Sequence, residues 1–223
     1  MAETVEEPIQ QSEAQAPTKK PGKRRPKEVK AQIIDAAITA FTRDGYAGAR
    51  MRSIATDAGI SVQLLLHHVK SKELLWHMMM EDILERYERY RPQTEPLSGA
   101  ASAADRLRQS IADLVHFTAQ MPQLHRIMTN EGGQLTPRMI WLTENLTKKS
   151  YQDWCALIAE AQREGAVREG SPGRLRFAIL AMTAVPFAVS AEYEYLTGKS
   201  PFTRGEIAQT IDLICNMVFI DKR

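Results

Sequence analysis

Apolar residues recur along most of the chain at a helical rather than a strand spacing. Val29, Ile33, Ala36, Ala37, Ala40 and Phe41 fall at i, i+4, i+7, i+8, i+11 and i+12, one face of a helix that begins near Lys27. Gly45, between Asp44 and Tyr46, ends it. A short second helix, Met51 to Ala58, has Met51, Ile54, Ala55 and Ala58 on one side and is broken by Gly59. Ser61 is a good N-cap for a third, Val62 to Val69. A fourth starts at Ser71, carries Leu74, Leu75, Met78, Met79, Ile83, Leu84 and Tyr87, and stops at Arg91-Pro92. Two short helices joined by a tight turn containing glycine form a helix-turn-helix.

Residues 93–100 are a polar linker with Pro and Gly, the predicted domain boundary. Five more helices are predicted beyond it. The first covers 102–120, with Leu107, Ile111, Leu114, Val115 and Thr118. The next runs from Pro122, at its first turn, to about Glu131 and stops at Gly132-Gly133. A long helix follows from about Pro137 to Glu164, ended by Gly165. Residues 173–197 form the most apolar helix, kinked by Pro186 and stopped by Gly198. The last covers 203–220, with Ile207, Ile211, Ile214, Val218 and Phe219. No strand pattern or internal repeat is found. The pattern predicts an all-α protein of about nine helices: an N-terminal three-helix helix-turn-helix domain with its connecting helix over 27–92, and a C-terminal helical domain over 93–223.

Composition narrows the function classes. The 223 residues are 43% hydrophobic and 25% charged, ordinary for a globular protein. Two cysteines, Cys155 and Cys215, cannot make a disulfide framework and fit a reducing compartment. The most apolar stretch, Phe177 to Ala191, is 15 residues long and interrupted, against ~20 for a membrane span. With no signal-peptide pattern either, a cytoplasmic protein with no membrane partner is expected. The net charge of +2 hides an asymmetry. Residues 1–17 hold four Glu and no Lys or Arg, residues 18–92 hold 15 basic and 9 acidic side chains, and residues 93–223 hold 14 of each. The surplus sits mostly in Lys19, Lys20, Lys23, Arg24, Arg25, Lys27 and Lys30. Residues 1–26 are expected to be a disordered basic arm, and such a cluster seeks phosphate or simply stays solvated.

Ile33-Ile34-Asp35-Ala36-Ala37, Phe41, Gly45-Tyr46, Met51-Arg52-Ser53-Ile54-Ala55, Ala58-Gly59-Ile60-Ser61, Leu65, His67 and Ser71-Lys72-Glu73-Leu74-Leu75 together resemble the tetracycline-repressor (TetR) family of bacterial transcription regulators. The likeness is specific over roughly residues 27–76. Arg50 stands where the family usually has Thr, Gln63 where it has Gly, Leu66 where it often has Tyr, and His68 and Val69 where it has an aromatic pair. The resemblance implies a homodimeric repressor on a palindromic operator, here an unusual one, released by a small-molecule effector.

The third helix would then enter the major groove while the second crosses the backbone. The expected DNA contacts are Arg50, Arg52, Ser61, Val62, Gln63, Leu64, Leu66, His67 and Lys72. Gln63 can bond bidentately to adenine, and Val62, Leu64 or Leu66 can meet a thymine methyl. Dimerisation is expected through the last two helices, with Phe177, Leu180, Ala181, Ala184, Ala188 and Ala191 on one and Ile211, Ile214, Val218 and Phe219 on the other. The implied effector pocket is assigned to His116, Phe117, His125, Met128, Glu131, Trp141, Tyr151, Trp154, Phe187 and Tyr193, and an apolar or aromatic ligand is expected. No cofactor or metal is expected: His67, His68 and His77 lie close in sequence, but no Cys or paired carboxylate completes a set. The rival readings are an enzyme, for which no G-x-S-x-G, P-loop, G-x-G-x-x-G or H-E-x-x-H is present, and a helical small-molecule-binding protein without DNA function.

Overall fold

A computed structural model describes residues 26–90 and 101–220. The basic arm up to residue 25 and the linker over 93–100 lie outside the described residues. The first four helices are α1 (Pro26–Gly48), α2 (Met51–Asp57), α3 (Val62–His68) and α4 (Lys72–Tyr90). They are followed by α5 (Ala103–Gln120), α6 (Pro122–Glu131), α7 (Pro137–Leu142) and α8 (Lys148–Arg163). The last three are α9 (Pro172–Ala188), α10 (Ser190–Thr197) and α11 (Arg204–Val218). The all-α architecture is as predicted. The only pairing outside helices among the described residues is a single antiparallel bridge, Val167 to Phe219.

Two predicted helices are divided. The long helix over 137–164 contains a π-helical turn, Thr143–Thr147, between α7 and α8. There Thr143 Oγ1 and Asn145 Nδ2 donate to the carbonyls of Met139 and Trp141, four residues back, at 2.8 Å each. Those side chains compete for the ladder's own acceptors, and the ladder slips. The predicted helix over 173–197 breaks at Val189 into α9 and α10, bent by 78°. Pro186 removes a ladder donor one turn earlier. Arg126 of α6 secures the break, its Nε donating to the Ala188 carbonyl at 2.9 Å. No single described helix is long and apolar enough to cross a membrane.

The core has two parts. The first gathers the predicted face of α1 with Ile54, Ala55, Leu65, Val69, Leu75, Trp76, Met79, Met80 and Ile83. It extends past the predicted boundary, because Phe117, Leu124, Ile127 and Leu142 belong to it. Trp141 of α7 lies edge-on to Trp76, 5.7 Å away. The four N-terminal helices are therefore seated on α5–α7 by a shared apolar core. The second part joins α5, α8, α9 and α11 through Leu107, Ile111, Val115, Ile158, Ile179, Phe187, Ile214, Val218 and Phe219.

That second core corrects the predicted dimer surface. Ile214, Val218 and Phe219 are interior residues of the chain's own fold, and Ile211 packs against them. A helix period of 3.6 residues places two apolar stripes on α11, and sequence alone does not say which faces inward. The outward stripe holds Leu213 and Met217, with exposed Ile220 just past the end of the helix.

Candidate functional site

The turn between α2 and α3 is fixed by its backbone bonds. Gly59, at φ +64°, donates to the Thr56 carbonyl at 2.9 Å, and Ile60 donates to the Ala55 carbonyl at 3.0 Å. This is a Schellman closure, in which a left-handed residue satisfies the last carbonyls of a helix. Ser61 is extended, and its Oγ accepts from the Leu64 amide at 3.1 Å, capping α3 as predicted. Leu65 and Val69 are fully buried and pin α3 to the core. The same pinning turns Gln63, Leu64, Leu66 and His67 outward; Leu66 is 46% exposed. Ser61 is exposed as well, while Val62 is half-buried against the first core. Arg50 and Arg52, at the start of α2, are exposed. Lys70, which sequence reasoning passed over, adds an exposed cation just beyond α3.

Lys72 is half-buried. Its Nζ donates to the Ala47 carbonyl at 3.2 Å and sits 4.6 Å from the centre of the Tyr46 ring. Burial, then the nearby Arg138 charge, draws its pKa down. Tyr46 is the centre of a clasp. Its hydroxyl donates to Glu73 Oε2 at 2.6 Å, and Arg138 of α7 lies 3.5 Å over its ring. Arg138 also pairs with buried Glu131 at 3.2 Å and with Glu73 at 3.6 Å. Burial and the Glu73 bond push the Tyr46 phenol up to about 12. A cleft of about 570 Å³ runs beside this clasp between the end of α1 and the α6–α7 connection.

The residues predicted to line an effector pocket do not share one cavity. His116 is exposed, and Phe117 belongs to the first core with Met128 and Trp141 packed on it. Glu131 faces the interdomain cleft. Trp154 packs against the second core, and Phe187 lies buried in it, 5.5 Å from Phe202. Tyr193 donates to Glu206 at 2.7 Å. His125 lies edge-on to Phe117, 6.5 Å away, and shares with Tyr151 a common neighbour, Arg176, a residue the sequence reading missed. Aromatic content selects core positions as readily as pocket walls, which is why that choice scattered. The signal available for Arg176 was a cation on the inward face of the most apolar helix.

Known proteins match both halves. Residues 33–77 match the domain described as "Bacterial regulatory proteins, tetR family", and residues 100–186 match "Tetracyclin repressor-like, C-terminal domain". The chain belongs to the tetR family. It is 25% identical over 193 residues to the HTH-type transcriptional regulator RutR of Escherichia coli strain K12, covering 85% of this chain and 88% of that one. It is 30% identical over 157 residues to the regulatory protein RaaS of Mycobacterium tuberculosis, covering 69% and 66% respectively. The fold is also that of AibR, solved with isovaleryl coenzyme A and operator DNA, at a TM-score of 0.64 and 21% identity over 86% of this chain and 98% of that one. As a tetR-family protein the chain is a helix-turn-helix DNA-binding transcription regulator and not an enzyme.

Proposed function

We propose that this regulator is a homodimeric repressor that reads a palindromic operator through α3 and is released by a small-molecule effector held in its C-terminal half. In this reading residues 27–92 form the DNA-binding domain and 93–223 the effector-binding and dimerisation body. The observation that carries it is the exposed side of α3. Leu64 and Leu66 are unburied in a helix otherwise pinned by Leu65 and Val69, beside Gln63 and His67 and flanked by Arg50 and Arg52. Apolar side chains next to an amide suit thymine methyls and an adenine edge, and the arginines suit phosphate. Lys72 joins them, since an ammonium has three donors and Ala47 takes one.

Pairing is supported by an outward stripe of Phe177, Ala181 and Val185 on α9, continued by Val189 just past its end, alongside Leu213 and Met217 of α11 and Ile220 just beyond it. The two helices pack on each other. A dimer so joined carries two copies of α3 for two half-sites. AibR, solved with both an acyl coenzyme A and operator DNA, supports the coupling of a ligand to DNA binding. The absence of any membrane-crossing single helix among the described residues is in keeping with action in the cytoplasm.

Fluorescence anisotropy on the duplex upstream of the chain's own coding sequence tests the reading. Binding in the range of ~10⁻⁸ M or tighter, weakening steeply with salt, is expected. Affinity equal to that for an unrelated duplex would overturn it.

A further inference from the structure

Arg176 is a cation whose neighbours among the described residues are aromatic rings rather than carboxylates. It lies on the first turns of α9, half-buried, and no carboxylate among the described residues pairs with it. Its guanidinium stands 5.9 Å from the centre of the Tyr151 ring and 5.3 Å from that of Phe177. A guanidinium stays charged in proteins, so it cannot escape burial by losing its proton. Burial without an anion opposes folding, and a side chain kept under those terms points to a partner from outside the chain.

Two further polar groups, one on α9 itself and one on α6, have unused hydrogen-bonding capacity. Thr183, seven residues along the same face of α9, is wholly buried, and its Oγ1 has no hydrogen-bond partner. At 1.5 Å per residue it lies about 10 Å beyond Arg176. On α6, His125 Nε2 is 2.9 Å from the Thr118 hydroxyl, whose single hydrogen goes to the Leu114 carbonyl at 2.8 Å. His125 must therefore donate through Nε2, which leaves Nδ1 as an acceptor. Burial, then the Arg176 charge, depresses the His125 pKa to about 4, so the ring is neutral near pH 7. A half-buried cation and an unused hydroxyl thus share the face of α9 that carries Ile179 and Phe187, with a neutral imidazole acceptor on α6 close enough to feel the Arg176 charge.

We propose that the effector is a small organic carboxylate, its charge held by Arg176 and its apolar body lying along α9 toward Thr183. Tyr151 covers the outer side of this site. It is partly exposed, its hydroxyl is hydrogen-bonded to Cys155, and that hydroxyl rests against Gly173, where any side-chain carbon would collide with it. The proposal rests on the reading of the C-terminal half as the effector body, and replaces the apolar ligand expected from sequence with an anionic one.

The test uses the full-length protein with butyrate, hexanoate, octanoate, decanoate, benzoate and phenylacetate, each beside its primary amide. Binding is read by calorimetry and by release of the bound duplex. Acids are expected to bind and their amides not, and Arg176→Gln should weaken the acids by roughly tenfold to a hundredfold, the range of a charge-assisted hydrogen bond. The unliganded Arg176→Gln protein should unfold at the same temperature as the parent or higher, which a structural arginine would not allow. Arg176→Lys, which keeps the charge and loses the planar fork, should bind with intermediate affinity. Amides binding as well as acids, acids indifferent to Arg176→Gln, or no acid binding at all would each overturn the proposal. Binding of the amides that is lost in Thr183→Val would show that the body holds a neutral effector; binding insensitive to every one of these variants would place the site elsewhere and overturn the proposal, while failure of every compound to bind or to release the duplex would count against the effector body itself.

Discussion

Single side chains carry the most sharply measurable consequences, and His125 is the clearest. Its pKa is depressed to about 4 by burial and by the Arg176 charge, against 6.5 for the free residue. The unfolded chain therefore binds more protons than the native one between those values. The resulting stability is fully present above pH 6.5 and is lost as pH falls through 4. Between pH 7 and pH 4.5 this group alone should remove about 2–3 kcal/mol. Urea midpoints of the parent and of His125→Phe, compared at both pH values, check this. A smaller acid loss in the variant is expected, and equal losses would show that His125 is not held neutral. His125 was legible in the sequence as a candidate, but its Thr118 bond was not, because the seven-residue separation crosses a helix boundary. Gln63, Leu65 and Ser61 were legible in full: the capping spacing and the alternation of inward and outward positions fix them locally. Lys72 was legible as a cation but not as one anchored on Ala47, a long-range contact made only when α4 docks on the end of α1.

Among elements, the α2–α3 corner is specified by one residue's backbone. Gly59 sits at φ +64° and closes two hydrogen bonds. Gly59→Ala should cost about 1–2 kcal/mol from the left-handed penalty, read as a lower denaturation midpoint. A midpoint equal to the parent's would show the corner free to rearrange. Glycines and caps made the first four helices readable almost to the residue. The later elements were less so for an identifiable reason. Pro186 announced a kink, but the 78° bend falls at Val189 because Arg126, from another helix, takes the Ala188 carbonyl. The π-helical turn at Thr143–Thr147 likewise depends on side chains bonding backward, which an apolar periodicity does not register.

At the scale of the molecule, the clasp around Tyr46 and the shared first core join the DNA-facing helices to the body. A change around α6 and α7 thereby has a packed route to α3. The predicted boundary at 93–100 falls between sequence patterns, yet the packing crosses it through Phe117, Leu124, Ile127 and Leu142. Composition could not show this, since those side chains look like ordinary core of the second half. The proposed dimer makes its own prediction at this scale. Val185→Glu, on the 54% exposed centre of the α9 stripe, should leave the monomer folded by circular dichroism and halve the mass by sedimentation. Unchanged mass would place the dimer contact elsewhere, or nowhere.

The claim that α3 is the reading head is tested most directly by base-resolved competition. Single base-pair changes through the bound duplex are titrated against the parent, Gln63→Ala and Lys72→Ala. Gln63→Ala should lose ~1–3 kcal/mol at one position per half-site and relax the preference there, while Lys72→Ala weakens every sequence about equally. Losses for Gln63→Ala that are uniform across all sequences would contradict the account.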